Sequence, residues 1–142
     1  MNNHFKQKIP LILIVGIMLT SLFGCSNIPK IDWELKITGA VQIPMTYSFT
    51  ELTEMPQIDL DDIYMSKTYS KDETRSFAGI PLAYLLEQAG ASPDMVSITA
   101  VAADGYAIEI SLQEMQDGIV ALKDGGKWIQ DKEPESGPIR LV

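Results

Sequence analysis

An apolar run near the N-terminus ends at the single cysteine of the chain, and it decides which residues are available to fold. Residues 1–8 carry Lys6 and Lys8, and residues 9–23 are predominantly apolar. A basic start followed by an apolar run that is short for a membrane span is typical of an export signal. We therefore expect residues 1–24 to be removed and the rest of the 142-residue chain to form the domain.

The junction Leu22-Phe23-Gly24-Cys25 resembles the lipobox of bacterial lipoproteins. The resemblance implies that Cys25 becomes the lipid-bearing first residue, carrying palmitate-type chains, and that residues 25–32 form a tether. Two or three acyl chains give a lasting anchor, whereas a single chain is marginal. The expected partner is membrane lipid, and the expected location is the extracytoplasmic face of the cell membrane. The alternative is an uncleaved signal anchor with an incidental cysteine.

Charge and composition exclude several classes of function. All 19 acidic residues but only nine of the 11 basic ones follow Cys25, so the mature part has a net charge of −10. Such a surface repels nucleic acid, and we expect no nucleic-acid partner. The one histidine, His4, lies in the signal, so the mature part has no imidazole for catalysis or metal binding.

Periodicity predicts short helices interleaved with strands. The predicted helices are 49–55 after the capping-box pattern Ser48-x-x-Glu51, 82–89 between Pro81 and Gly90, and one to two turns after Ser111-x-x-Glu114 that end near Gly118. The predicted strands cover residues 33–37, 57–66, 96–102, 106–110, 119–122 and 139–142, with a return of the chain at 128–129.

Turn signals complete this prediction. A bulge is expected near Asp61 and Asp62, a loop over residues 67–76, and a two-residue hairpin at Asp104-Gly105. The pattern favours an α+β domain with a mixed β-sheet and short helices. Because the chain stops inside a predicted strand, we expect the domain to be truncated at its C-terminus.

Five motifs occur in the order of a known family. They are Trp33-Glu34-Leu35-Lys36-Ile37-Thr38-Gly39, Tyr47-Ser48-Phe49-Thr50-Glu51-Leu52, the segment from Phe77-Ala78-Gly79-Ile80-Pro81-Leu82 to Ala89-Gly90, Ala103-Asp104-Gly105-Tyr106, and Gly137-Pro138-Ile139-Arg140-Leu141-Val142. Together they resemble the molybdopterin-binding domain of the sulfite oxidase family over residues 33–142. The resemblance implies an α+β domain that holds a molybdenum–pterin cofactor for oxygen-atom transfer or related redox chemistry.

The chain departs from this family at the metal ligand. The resemblance implies a cysteine thiolate after the strand that corresponds to residues 57–66, where this chain has Tyr64, Met65 and Ser66. Neither a hydroxyl nor a thioether replaces the charge of a thiolate on a soft metal centre. We therefore expect no bound molybdenum, no metal ligand and no catalytic residue. Molybdopterin binding rests on the resemblance alone.

Three residues are candidates for ligand binding. Arg140 matches the arginine of the closing motif and either meets a small anionic ligand or pairs with one of the many carboxylates. Ser66 and Tyr69 are near the position of the missing cysteine and would line a residual pocket. Trp33 and Trp128 are either a stacking platform or part of the core.

Three functions remain open at this stage. The first is a non-catalytic binding or accessory lipoprotein, which would bind a small anionic ligand or a partner protein. The second is a molybdopterin-dependent oxidoreductase subunit that holds its cofactor without the cysteine. The third is a structural or adhesive surface module.

Overall fold

The computed structural model describes residues 27–67 and 69–142. The strands are β1 (Glu34–Ile37), β2 (Met45–Ser48), β3 (Ile58–Met65), β4 (Glu73–Pro81), β5 (Ser97–Val101), β6 (Ala107–Ser111), β7 (Ile119–Asp124), β8 (Lys127–Trp128) and β9 (Arg140–Leu141). The helices are α1 (Phe49–Glu54), α2 (Leu82–Gln88) and α3 (Ile129–Lys132), followed by a 3₁₀ turn at Pro134–Ser136. Among these helices, none has the length and hydrophobicity needed to cross a membrane.

The main sheet has five strands in the order β3-β4-β7-β8, and β9 also pairs with β7. Two hairpins, β1–β2 and β5–β6, form separate two-stranded sheets. The α+β class with short helices is confirmed. The strand pairs within the described residues are all antiparallel.

Strand β7 is the centre of the core because both of its faces are buried. Val120 and Leu122 belong to the larger apolar cluster, whereas Ile119 and Ala121 belong to a second cluster on the other face. A strand covered on both sides has a continuous apolar sequence rather than an alternating one. β4 lies close to this strand at Gly79, where any side chain would collide with the β7 backbone.

Several local predictions are confirmed. Ser48 and Glu51 form the expected capping box, since the Ser48 backbone N–H donates to the Glu51 carboxylate at 2.7 Å and the Glu51 N–H donates to Ser48 Oγ at 3.3 Å. The β3–β4 register shifts between Leu60 and Ile63, at the predicted bulge, with Asp62 at a φ of 57°. Gly90 follows α2 with a φ of 63°, as expected of a residue that ends a helix.

Two predictions of loop and helix are wrong. The expected loop over residues 67–76 ends earlier, because β4 begins at Glu73. Its first residues are polar since they enter ion pairs rather than the apolar core. The expected helix after Ser111 is a series of turns, in which Ser111 Oγ accepts from the Gln113 N–H at 3.2 Å. Its backbone hydrogen bonds close single turns, from the Met115 N–H to the Ser111 carbonyl at 3.1 Å and from the Gly118 N–H to the Met115 carbonyl at 2.9 Å.

Two turns also differ from the prediction. The β5–β6 hairpin forms, but its loop is longer than two residues, because the Asp104 carboxylate accepts from the Tyr106 N–H at 2.9 Å and the pairing stops at Val101 and Ala107. The return at residues 128–129 is only partly a strand. β8 ends at Trp128, and α3 begins at Ile129.

Both tryptophans pack against the apolar core. Trp128 is buried, and its ring meets Phe49 edge to face with the centroids 5.9 Å apart. Trp33 is half-buried against the same cluster. Residues 27–32, part of the predicted tether, also contact the domain, since Ile31 packs on this cluster and the Asn27 carbonyl accepts a hydrogen bond from Trp128 Nε1 at 3.0 Å.

Candidate functional site

The β3–β4 hairpin brings the position of the family's missing cysteine beside a group of charged side chains. Met65, near the end of β3, pairs with Glu73 at the start of β4, and Ile63 pairs with Arg75. Further along β4, Phe77 pairs with Asp124 at the end of β7. The antiparallel register therefore places charged residues from β4 and β7 at one end of the sheet.

Arg75 is the centre of this group. Its Nη1 lies 2.7 Å from Asp124 Oδ2 and 2.9 Å from Glu133 Oε1, and its Nε contacts Glu73. The Arg75 side chain is 17% exposed and that of Asp124 only 3%. One guanidinium thus joins three carboxylates from three parts of the chain, which its planar set of five donors allows.

Three more cations surround these carboxylates. Lys132 Nζ lies 2.7 Å from Asp124 Oδ1, Arg140 Nη2 lies 2.6 Å from Glu133 Oε2, and Lys67 Nζ lies 2.5 Å from Glu73 Oε1. We call the whole group the Arg75 network, comprising Lys67, Glu73, Arg75, Asp124, Lys132, Glu133 and Arg140. Four cations and three carboxylates give it a formal charge of +1 within a strongly acidic domain.

The network favours the ionised form of two of its carboxylates, Glu73 and Glu133. The hydrogen bond from Arg75 lowers the pKa of Glu133 to about 2, and Arg140 adds to the effect. The pKa of Glu73 is also lowered, chiefly by its hydrogen bond with Lys67. In return, the hydrogen bond to Glu133 raises the pKa of Arg75. Glu73, Arg75 and Glu133 are therefore not poised to exchange a proton near neutral pH.

The predicted site residues have different surroundings. Arg140 lies in β9 and pairs with Glu133, which is the second of the two roles expected for it. Ser66 is exposed, directly before Lys67 of the network, and Tyr69 is fully exposed. The structure therefore brings Arg140 and the end of β3 into one network but leaves the Tyr69 side chain in solvent. Cys25 lies outside the described residues.

Sequence reasoning missed the other members of the network. Glu73 and Arg75 are two residues apart in one strand, so their side chains share a face, but the segment was interpreted as a loop. Asp124 was interpreted only as part of a Gly-rich turn. Arg75 is 49 residues from Asp124 and 58 from Glu133, and periodicity carries no signal over such separations.

A separate open cleft of about 340 Å³ lies beside the second apolar cluster, which contains Ile119 and Ala121. It is lined by Leu60, Ile63, Met115 and Val142, among others. Its lining includes no member of the Arg75 network, so the cleft and the network are different features of the surface.

The family relationship is clear from the comparison with known proteins. Residues 25–142 match the model of the oxidoreductase molybdopterin binding domain, and the chain belongs to this family. The expected resemblance is thus confirmed. No curated protein matches the chain.

The fold also matches a solved structure. The crystal structure of the sulfane dehydrogenase SoxCD from Paracoccus pantotrophus superposes with a TM-score of 0.64 at 21% sequence identity. The match covers 78% of this chain and 33% of that chain, so this chain spans about a third of the length of that protein. At this identity the similarity shows the shared fold.

The residues present do not fit the molybdenum–pterin group of the family. The segment after Cys25 contains no cysteine, and the end of β3 has Tyr64, whose hydroxyl donates to the Asp72 carboxylate at 2.5 Å. Within residues 27–67 and 69–142, no cluster of three His, Cys, Asp or Glu side chains could hold a metal ion. Lys67, directly after this position, is already paired with Glu73.

The Arg75 network predicts a large cost for removing its central cation. In Arg75→Met, the Asp124 carboxylate stays buried with Lys132 as its remaining partner, and breaking a buried pair in this way costs about 3–5 kcal/mol. Urea unfolding of the purified protein measures this loss. The control is Lys36→Met, which removes an exposed pair with Glu34 and should cost at most about 1 kcal/mol. Equal losses in the two variants would contradict the central role of Arg75.

The lowered pKa of Glu133 predicts an acid-dependent contribution to stability. A carboxyl whose folded-state pKa is depressed stabilises the fold above its ordinary pKa of 4.5, and this contribution is lost as the pH falls towards 2. The difference in unfolding free energy between wild type and Glu133→Gln should therefore be largest above pH 4.5 and should close towards pH 2. Urea unfolding at a series of pH values tests this. Glu135→Gln, at an exposed neighbour, is the control, and parallel curves for wild type and Glu133→Gln would refute the prediction.

Proposed function

We propose that this chain is a lipoprotein anchored outside the cytoplasm, and that its molybdopterin-type domain has a non-catalytic binding or accessory role. The observation that carries the proposal is the Arg75 network. It connects the position of the family's metal ligand, at the end of β3, with the arginine of the closing motif, and it does so entirely through internal ion pairs.

The first support is the donor set at the end of β3. A molybdenum centre of this family requires a thiolate, and Tyr64, Met65 and Ser66 offer a phenol, a thioether and a hydroxyl. The Tyr64 hydroxyl donates its proton to Asp72, and Lys67 pairs with Glu73. The end of β3 therefore lies beside the carboxylates of Asp72 and Glu73, which are hard anionic ligands, whereas a thiolate is a soft ligand.

The second support is the state of the arginines. The chain has two arginines, Arg75 and Arg140. Arginine is the side chain best suited to bind a phosphate through two parallel hydrogen bonds. Both are engaged by Glu133, and Arg75 is also held by the buried Asp124. An anionic cofactor at this place would have to displace Glu133, whose ionised form the network favours, and the buried Asp124.

A binding role leaves Arg140 as the arginine of the network more open to an anionic ligand or partner. Its side chain is 25% exposed, compared with 17% for Arg75, and one carboxylate contact joins it to Glu133. A partner carboxylate or a small anion could share this guanidinium without breaking the pair of Arg75 with Asp124. Ser66 and Tyr69, on the exposed loop after β3, are secondary candidates for such contacts.

The lipid anchor rests on the sequence around Cys25. A basic start, an apolar run, a Gly-Cys junction and an acidic domain with no further cysteine are together typical of exported lipoproteins. An extracytoplasmic lipoprotein with a family fold but a replaced donor set fits an accessory or binding role better than an oxidoreductase.

Metal and pterin analysis tests the non-catalytic role. We expect the protein purified from a host that makes the molybdenum cofactor to contain far less than one molybdenum per chain, because the thiolate is replaced. Elemental analysis measures the metal, and pterin fluorescence after acid denaturation measures the organic part. A cysteine-ligated member of the family, made in the same host, is the control. Stoichiometric molybdenum and pterin would instead support the oxidoreductase subunit.

Substitution of the lipidation residue tests the anchor. In Cys25→Ser no thioether can form, so incorporation of labelled palmitate should be abolished. Ser26→Ala, at the next residue, should incorporate the label as wild type does. Mass spectrometry of the N-terminal peptide checks the same point. Equal labelling of Cys25→Ser and wild type would refute the lipoprotein assignment.

A further inference from the structure

The hairpin of β5 and β6 is a sheet of two strands, so the outer side of β5 has no neighbouring strand among the described residues. The hydrogen bonds of the hairpin show which backbone groups lie on that side. The Leu112 N–H donates to the Val96 carbonyl at 2.9 Å, and the Ala102 N–H donates to the Tyr106 carbonyl at 2.8 Å. In an antiparallel pair, residues that bond across the ladder alternate with residues that point away from it. The even-numbered residues of β5 therefore bond to β6, and the odd-numbered ones point outward.

The outward backbone groups of β5 are open to solvent. We call them the β5 edge, which comprises the N–H and C=O groups of Ser97, Thr99 and Val101. Thr99 is exposed, Val101 is 67% exposed, and Val96, directly before the strand, is 77% exposed. Within the part of the chain that the structure describes, no backbone hydrogen bond occupies the β5 edge. An unpaired row of this kind is a template for pairing with another strand.

The β5 edge differs in charge from the edges of the neighbouring elements. The outer strand of the main sheet, β3, carries Asp59, Asp61 and Asp62, and β6 carries Glu109 at its centre. By contrast, β5 has the sequence Ser-Ile-Thr-Ala-Val, with no charged residue and no proline, and its register with β6 is regular. In a domain with a net charge of −10, an acidic edge repels a second copy, and the β5 edge carries no such charge.

We propose that two copies of this chain pair through the β5 edge as an antiparallel dimer with its two-fold axis at Thr99. The facing pairs of this register are Thr99 with Thr99, Ser97 with Val101, and Ile98 with Ala100. Every outward N–H and C=O group of the edge then gains a partner, which gives about six backbone hydrogen bonds. The second copy is the occupant because the edge is uncharged and because it completes its own ladder. This inference does not depend on the lipid anchor.

The facing side chains suit this register. Threonines directly opposite each other stabilise antiparallel strands, and Thr99 meets its own copy at the axis. On the other face of the sheet, the large side chain of Ile98 meets the small one of Ala100. Val101, which is exposed in one copy, lies beside Ser97 of the second copy and loses contact with water. A two-fold axis uses the same surface on both copies, as in most dimers.

The nearest acidic side chains are kept apart in this dimer. Glu109, which pairs with Thr99 across the hairpin, accepts a hydrogen bond from Ser97 Oγ at 2.7 Å. The two copies of Glu109 lie on the outer strands, three strand spacings or about 14 Å apart, which exceeds the Debye length of about 8 Å in physiological salt. Asp94 and Asp104 flank β5 and are exposed, so their repulsion opposes pairing at low salt. We therefore expect the dimer to become more populated as the ionic strength rises.

Disulfide crosslinking of the full-length protein in detergent tests the register. Position 97 faces position 101 of the second copy with the Cα atoms about 5.5 Å apart, which a disulfide can span. An oxidised mixture of Ser97→Cys and Val101→Cys should therefore form dimers several-fold faster than either variant alone, because like positions are about 13 Å apart along the strands. Thr99→Cys should crosslink with itself. Thr46→Cys, at an exposed threonine of β2, is the matched control, and wild type measures the background from Cys25.

A charge at the axis tests the role of the uncharged edge. In the two crosslinking variants, adding Thr99→Lys places like charges opposite each other and should abolish the mixed crosslink. Adding Thr46→Lys changes the net charge equally and should preserve it. Both lysines reduce the net negative charge, so an effect of general repulsion alone would strengthen the dimer in both cases. Thr99→Val keeps the edge uncharged and should preserve the crosslink, and urea unfolding verifies that each variant is folded.

The outcomes decide between the dimer and a free edge. A mixture that crosslinks no faster than its separate components would overturn the register. Equal crosslinking of Thr99→Cys and Thr46→Cys would overturn the β5 edge as the interface. Sedimentation velocity measures the dimer without any crosslink, and a protein that stays monomeric at every concentration and salt would overturn the dimer. A dimer that dissociates as salt is added would overturn pairing through an uncharged edge.

Discussion

The pairing of Arg75 with Asp124 and Glu133 is the interaction on which the arrangement of the domain depends. Asp124 ends β7, the strand buried on both faces, and its carboxylate is almost inaccessible to water. A charge in such a place is tolerated only with close partners. Arg75 of β4 is one such partner, and Lys132 of α3 is the other. These two ion pairs hold β4, β7 and α3 in a single arrangement. Through Glu133 the same guanidinium also fixes β9.

The sequence was sufficient to predict the structural features that depend only on neighbouring residues. The capping box at Ser48 and Glu51, the bulge at Asp62 and the end of α2 at Gly90 each follow from a few neighbouring residues. The start of β4 was missed because pairing with β3 overrode its local pattern, and the turns after Ser111 were missed because a capping-box pattern alone does not make a helix propagate. Arg140 was a candidate from its motif, but its partner Glu133 could not be identified, since many carboxylates were available.

Fold and site follow different constraints in this chain. The sheet, the helix α2 and the closing Gly137-Pro138-Ile139-Arg140 segment follow the family, because a common core requires them. The donor atoms at the end of β3 do not, because a metal ligand has no part in packing that core. The fold alone therefore does not define the chemistry, and function has to be argued from the site.

The outer edge of the bulged strand β3 affects how the domain meets other molecules at high concentration. It is the outermost strand of the main sheet, so its outer backbone groups could pair with a neighbouring molecule. Asp59, Asp61 and Asp62, together with the irregular backbone at Asp62, oppose such pairing through repulsion and a mismatched ladder. At high local concentration this strand would therefore protect the domain against self-association into fibrils.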